Sequence, residues 1–341
     1  MNTGINFQDI KPLAQIIPAV STNLNFKDYR GAMMVRWGFN RGKYRVSPGL
    51  YKIGNPDSKS DVMVSANYKL SFDTLRKNLT GLNVWIMVID TKGVNVWCAA
   101  GKGTFSTDNI VKSIQSTSLN NIVTHRQLIV PQLGATGVAA HKVKELCGFK
   151  VIFGPVRAGD IKDFIAADYN ATTGMRRVYF PLKERLKLIP NDFMQGKYKL
   201  LAVLVILFVL SGLDQTGLHF QKMTATSLLP VINIIAAYFA GIVITPILLP
   251  VIPFRAFALK GAIAGYIIVS AINYPFSVPL LENMALTGLS TAMASFAAMN
   301  FTGSSTYTSL SGVKKEMKWA VPFQASFFII SLVIFITNKF L

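Results

Sequence analysis

The sequence is poor in the residues that build metal centres and disulfide frameworks. Its 341 residues include two cysteines and three histidines. Two thiols cannot hold an iron–sulfur cluster through four thiolates, and in a cytoplasmic domain they are not a disulfide framework. His125, His141 and His219 lack metal-ligand spacing. No G-x-x-x-x-G-K-[ST] stretch supports a phosphate loop. No Ser-His-Asp set or paired carboxylate motif stands out. The N-terminal MNTGINFQDIKPLAQIIPAVS has neither a basic start nor a long apolar core, so no signal peptide is expected. Acidic residues are scarce: 16 Asp and Glu face 35 Lys and Arg, a net charge of +19. Apposition to a lipid surface explains that excess at least as well as nucleic acid does, and no nucleic-acid partner is expected.

What is present divides in two. Residues 1–199 hold 28 Lys+Arg and 13 Asp+Glu, while residues 200–341 hold 7 and 3. Mean hydropathy is +0.39, and the excess lies in the second half. The apolar run at 200–213 and the uncharged stretches at 223–254, 261–281, 283–313 and 319–338 each supply, or nearly supply, the roughly 20 residues of a spanning helix. The expected organisation is a cytoplasmic domain over 1–190 and an all-α transmembrane domain of five helices over 191–341. The spans are placed at about 198–217, 226–249, 257–274, 282–302 and 319–338. Lys197, Lys199, Arg255, Lys260, Lys314, Lys315 and Lys318 fall in alternate loops. The positive-inside rule then places the N-terminal domain in the cytoplasm and the C-terminus outside the cell membrane. Asp214, His219 and Glu282 sit near span ends, where charge is cheap, so an anchor or docking role is favoured over a substrate pathway. A transporter with a ligand-sensing domain is the competing reading. The small residues of ALTGLSTAMASFAAM (285–299) favour close helix packing.

The first half reads as α/β with a parallel, Rossmann-like sheet. DVMVSA (61–66), VWIMVID (84–90), HRQLIVPQL (125–133) and FKVIFGPV (149–156) are strand-like, and GVAAHKVKELCG (137–148) and AGDIKDFIAADY (158–169) are helical. Ligands of such sheets gather at the C-terminal strand edge, where three loops are expected: 91–105, 131–137 and 154–159.

The first loop contains NVWCAAGKGTF (95–105). Asn95 is a good N-cap, which puts Cys98 at the third helical position, where unpaired N–H groups stabilise a thiolate. Lys102, one turn on, pushes the same way. Gly101 and Gly103 let the turn end and something bulky approach. Trp97 and Phe105 offer apolar walls. The competing reading is an ordinary small buried cysteine, which is also the reading for Cys147. GKGTFS is a near miss to the dinucleotide fingerprint and lacks a well-placed acidic residue downstream.

NVWCAAGK resembles, in all eight positions, the cap-helix signature of the HgcA family, the membrane-bound corrinoid proteins of microbial mercury methylation. The order of a cytoplasmic domain followed by five spans resembles it as well. LIVPQLGATGVAAHKVK (128–144) and GFKVIFGPVRAGDI (148–161) also look like the corrinoid domain of the acetyl-CoA pathway's corrinoid iron–sulfur protein, without its four-cysteine cluster motif. The resemblance implies a corrinoid-dependent methyltransferase. A cobalamin-type cofactor would be bound base-off, with Cys98 as the lower axial ligand of its cobalt. Histidine ligation through D-x-H-x-x-G is not available, because Val123 and Ala139 stand where the Asp would be. The methyl group would pass to mercury(II), giving methylmercury; a different native acceptor is the alternative. The implied partners are a small ferredoxin with two 4Fe-4S clusters, a methyl donor of the methyltetrahydrofolate pathway and membrane lipid. The implied cofactor-binding residues are Asn95, Val96, Trp97, Cys98, Ala99, Ala100, Gly101, Lys102 and Gly103 on the cap helix. Gly134, Ala135, Thr136 and Gly137 would cradle the corrinoid or its displaced tail, and Gly154, Pro155 and Val156 would line the same edge. Ala99 and Ala100 would stay small so that the ring can lie close.

Overall fold

The computed structural model describes residues 17–304 and 310–341; the first 16 residues of the expected N-terminal domain lie outside the described residues. The chain divides into two compact units: residues up to Val35 with Asn40–Val178, and Arg36–Phe39 with Tyr179–Leu341.

The first unit contains helix α1 (Phe26–Arg36), strands β1 (Gly49–Ile53) and β2 (Val62–Ala66), α2 (Lys69–Asn78), β3 (Val84–Ile89), α3 (Val96–Gly101), α4 (Thr107–Ser116), α5 (Leu119–Ile122), β4 (Gln127–Val130), α6 (Ala140–Cys147), β5 (Lys150–Phe153) and α7 (Ile161–Ala166). The sheet order is β1-β3-β2-β4-β5. β3, β2, β4 and β5 run parallel. Every residue of β2 and β3 is buried, as expected where helices cover both faces and the strands read as continuous apolar runs. One face packs Val64, Trp85, Met87 and Ile89 under Ala99, Phe105, Ile110 and Val143. The other packs Met63, Ile86 and Val88 under Phe72, Leu75 and Phe164.

The sheet is mixed rather than wholly parallel. β1 pairs antiparallel with β3, Gly49 opposite Val88 and Ile53 opposite Val84. The connection at residues 54–61 is too short for the dozen or so residues that a parallel crossover takes, so β1 can join only in the opposite sense.

A buried ion cluster ties α1 to α2. Lys69 lies 2.7 Å from both Asp28 and Asp73, and Arg76 lies 2.7 Å from both. Burial pushes the Asp28 carboxyl up, but hydrogen bonds from Lys69, the Asn25 N–H and Arg76 outweigh it and hold the pKa at about 2.

The second unit contains α8 (Leu182–Leu186), α9 (Ile189–Leu210), a short hairpin (Leu213–Asp214 with Gly217–Leu218), α10 (Phe220–Thr226), α11 (Leu228–Phe239), a π turn (Ala240–Ile244), α12 (Thr245–Ile247), α13 (Phe257–Asn273), α14 (Leu280–Ser304) and α15 (Leu310–Thr337). Among the described residues, four helical segments are long and apolar enough to cross a membrane: Leu182–Leu210, Leu228–Ile247, Phe257–Phe276 and Ser311–Thr337. The first expected span is shifted towards the N-terminus. It stops at Leu210 because the chain turns back at Asp214–Gly217, where Asp214 accepts from the N–H of Thr216 at 2.7 Å.

The expected span at 282–302 falls within α14, which does not count among the four. The 25-residue α14 is diluted by Asn, Ser, Thr and Gly, and it faces other helices. A Cβ on Gly241 would meet the Ala294 carbonyl at 2.6 Å, and Gly261 and Gly265 lie against Ala298 and Ala294. Small residues let these backbones approach closely. Asn233 donates to Asn273 at 2.7 Å, and Asn273 to Asn283 at 2.9 Å, a polar chain linking α11, α13 and the start of α14.

Candidate functional site

The site is built on the C-terminal edge of the parallel strands. After β3 the chain must turn sharply into α3, and a buried asparagine after β2 shapes that turn. The side-chain carbonyl of Asn67, 1 % exposed, accepts from the Thr91 N–H (3.1 Å), the Thr91 hydroxyl (2.9 Å) and the Gly93 N–H (2.9 Å). Its amide donates to Asp90 at 2.9 Å. Lys92 and Gly93 adopt left-handed backbone, φ 58° and 74°. At Gly93 the Gly42 carbonyl lies 2.9 Å from where a Cβ would stand, so glycine is required there on two counts.

This turn delivers Asn95 as the N-cap of α3. The Asn95 side-chain oxygen accepts from the Cys98 N–H at 2.9 Å, which satisfies one of the free donors of the first turn. Cys98 is the third residue of the helix and is half-buried. Trp97 is half-buried, and Gly101, Lys102 and Gly103 are exposed. Nothing lies within 4 Å of where a Gly103 Cβ would stand, and its φ is 77°. Trp97, Cys98, Gly101 and Lys102 therefore form the open side of α3.

The other side is closed. Val96, Ala99 and Ala100 belong to the core, and Ala99 is fully buried. A Cβ on Gly137 would meet the Phe105 carbonyl and stand 3.1 Å from Ala100 Cα, and one on Gly134 would strike the Phe105 ring. The small size of Ala99 and Ala100 thus serves the packing of the loop after β4 against α3. Phe105, expected as an apolar wall, is fully buried beneath Gly134.

The three expected loops are thereby only partly brought together. Gly134 and Gly137 pack on the cap-helix segment, leaving Ala135 and Gly137 half-buried and Thr136 exposed. Gly154 and Pro155 are buried and Val156 is half-buried; a Cβ on Gly154 would stand 3.1 Å from Ile129. Arg176 clips the second loop to the third, donating to the Gln132 side chain and to the carbonyls of Phe153 (2.8 Å) and Gly154 (3.3 Å). Beside Ala135, Thr136 and Gly137 opens a cleft of about 440 Å³, lined also by Ser106, Thr107 and Lys142. Ser106 caps α4 through the Asn109 N–H, and Thr107 accepts from the Ala139 N–H at 2.9 Å.

Sequence reasoning missed Asn67, Arg176, Ser106 and Thr107. Only Ser106 carried a local signal, as a Ser three residues before Asn109 at a helix start. Cys147 and His125 are engaged elsewhere in this unit. The Cys147 thiol donates to the Val143 carbonyl at 3.0 Å within α6. His125 uses both ring nitrogens, towards the Ser60 carbonyl and the Gln127 N–H, at the opposite strand end. No group of three or more His, Cys, Asp or Glu that could hold a metal ion occurs among the described residues.

Comparison with known proteins finds similarity in this unit. Residues 40–165 match the family described as CdhD, CO dehydrogenase/acetyl-CoA synthase delta subunit. The acetyl-CoA decarbonylase/synthase complex subunit gamma of Archaeoglobus fulgidus is 30% identical over 131 residues, 38% of this chain and 27% of that protein. That of Methanocaldococcus jannaschii is 32% identical over 127 residues, 37% of this chain and 26% of that protein. The corrinoid/iron–sulfur protein large subunit of Moorella thermoacetica is 29% identical over 126 residues, 36% of this chain and 28% of that protein. The chain spans about a quarter of the length of these relatives. Residues 40–165 therefore form a domain related to parts of the acetyl-CoA decarbonylase/synthase subunit gamma and of a corrinoid/iron–sulfur protein large subunit, followed in this chain by helices apolar enough to cross a membrane.

Proposed function

We propose that the chain is a membrane-anchored, corrinoid-dependent methyltransferase in which the Cys98 thiolate is the axial ligand of cobalt and mercury(II) is the methyl acceptor. The observation that carries this reading is Cys98 itself, half-buried on the open side of a capped turn in a corrinoid-related domain. The donor set fits the group. A corrinoid would bring most of its metal's donors with it, so the protein would have to supply one soft donor rather than a cluster. Cys98 is such a donor, with exposed Gly101 and Gly103 leaving room on its side of the helix.

When bound, the cofactor supplies a cobalt centre able to carry a methyl group. The chain's own residues hold and orient. Cys98 must shed its proton to ligate. Asn95 fixes the first turn of α3, and Asn67 fixes the turn before it. Trp97, the preceding residue on the open side of α3, would pack beside the thiol. Gly134–Gly137, with the adjacent cleft, is the proposed seat for the polar periphery of the cofactor. Mercury(II) as acceptor rests on the NVWCAAGK resemblance; a different native acceptor leaves the site unchanged. The N-terminal domain, expected over 1–190, is proposed to face the cytoplasm. Its basic surface suits an acidic ferredoxin as reductant, and a methyltetrahydrofolate-type molecule is the proposed methyl donor.

The test is the absorption spectrum of the anaerobically purified chain. A corrinoid spectrum is expected, with the cobalt(III) bands shifted in Cys98→Ala and methylmercury formation abolished. A chain that binds no corrinoid, or a Cys98→Ala variant with unchanged spectrum and full activity, overturns the proposal.

A further inference from the structure

The second unit carries a groove that the proposed site does not use. It runs between α9, α14 and α15 and holds about 340 Å³, the size of a small-molecule pocket. Its apolar walls are Val203 of α9, Met293 and Phe296 of α14, and Ala325, Phe328 and Ile329 of α15. Gln324 also lines it, but the amide of that residue is engaged inward, donating to the Ser295 hydroxyl at 2.8 Å. The one charged residue of the lining is Lys199, exposed on α9, whose ammonium lies 4.7 Å from the centre of the Phe296 ring.

Lys199 pairs with no carboxylate among the described residues. Residues 200–341 contain three, Asp214, Glu282 and Glu316, and each is engaged elsewhere. Asp214 pairs with Lys222, Glu282 with Lys339, and Glu316 accepts from the Ala258 N–H. The anion that complements Lys199 therefore has to come from outside the chain. Position along the helices tells where this charge stands. Lys199 immediately precedes the apolar run 200–213, and Lys318 immediately precedes the uncharged stretch 319–338. Helical spacing puts Lys318 on the face of α15 that carries Val321 and Ala325. In a membrane both cations stand at headgroup level, where a lysine can snorkel, and the apolar walls continue from there along the acyl chains.

This polarity decides the occupant. The walls suit a hydrocarbon chain, and a cation at one end suits a net-negative headgroup. We propose that the groove seats one anionic phospholipid, with an acyl chain against Val203, Phe296 and Phe328 and its headgroup phosphate on Lys199. This inference rests on the reading that the second unit spans a membrane, and the test separates the two.

The full chain in detergent is titrated with phosphatidylglycerol or with phosphatidylcholine of the same acyl chains, and bound lipid is counted by native mass spectrometry. One phosphatidylglycerol should bind about fivefold or more tightly than phosphatidylcholine, since one basic residue near an anionic headgroup is worth about that factor. Lys199→Gln should erase the preference, Lys199→Arg should keep it, and Lys222→Gln, remote from the lining, should leave it unmoved. Ala325→Trp, at an exposed wall position, should fill the groove and weaken both lipids. An unchanged preference in Lys199→Gln, or unchanged binding in Ala325→Trp, overturns the inference. Glycerol phosphate displacing the lipid at equal concentration shows a site for a free anion and overturns it equally. If the preference is missing in a chain that still needs detergent, only this inference falls. A chain that stays monodisperse in buffer without detergent sinks the membrane reading itself, and this inference with it.

Discussion

Replacing Asn67 by alanine tests whether a residue some 30 positions before Cys98 holds the cap helix in place. The substitution removes three accepted hydrogen bonds and one donated bond, all between 2.9 and 3.1 Å. Two of the donors left behind, the N–H groups of Thr91 and Gly93, sit in buried residues. A net hydrogen bond is worth about 1 kcal/mol, and an orphaned buried donor costs about 1–3 kcal/mol. The bonds share one side chain and are not additive, so the loss is set at about 3–4 kcal/mol. Part of it is local: the left-handed pair Lys92–Gly93 loses the partner that specifies it, and residues 91–98 should open ahead of the strands. The assay is hydrogen exchange of the detergent-solubilised chain resolved to this segment, together with the alkylation rate of Cys98. Exchange at 91–98 should quicken by more than two orders of magnitude while β2 and β3 change less, and alkylation should accelerate. Unchanged exchange at 91–98 with an unchanged unfolding midpoint would refute the assignment of Asn67 as the organiser of the turn.

Other outcomes follow from the same geometry. Asn95→Ala should cost about 1 kcal/mol of local stability through loss of the cap on the Cys98 N–H, and Asn95→Ser should restore most of it, read by thermal unfolding. Gly137→Ala should cost roughly 2–3 kcal/mol, because its Cβ would collide with the Phe105 carbonyl and crowd Ala100; corrinoid content per chain should fall with it. Asp28, held at about 2 against an ordinary 3.8, stabilises the fold above about pH 4 and loses that contribution as pH falls through 2. Acid titration of the unfolding midpoint should show a loss of at most about 2 kcal/mol in that window, absent in Asp28→Asn.

Some elements were legible and others were not, for identifiable reasons. β2 and β3 were readable because strands buried on both faces are continuous apolar runs. The cap helix was readable because Asn95 and its bond to the Cys98 N–H are local. The antiparallel β1 was not, since GLYKI carries no mark of direction; loop length decides it. Asn67 looked like any polar residue at a strand end, and its role depends on where β3 emerges beside β2. Arg176 was invisible for the same reason: its acceptors lie at 132, 153 and 154. The resemblance implies that Ala99 and Ala100 stay small for a ring, and Phe105 reads as an apolar wall, yet all three lie in the core, where Gly134 and Gly137 close over Phe105 and Ala100. The close packing of α14 was legible in its small residues at 285–299, which lie against Gly241, Gly261 and Gly265, while their low hydropathy keeps it out of the four apolar spans.

By itself the sequence settles what depends on composition and short range. It sets the split into a basic half and an apolar half, the apolar runs, the capped turn at Asn95 and the position of Cys98 within it. Free energies of burial and capping act over a few residues, so they can be read in order along the chain. Only the tertiary structure decides which loops meet. It closes the loop after β4 onto the inner side of α3 and leaves the thiol side open, and it makes Asn67 and Arg176 the ties between strand ends. It also turns Asp28 inward to pair with Lys69 and Arg76 of α2. Those outcomes depend on sheet order and on residues distant in sequence, and no window of the chain contains them.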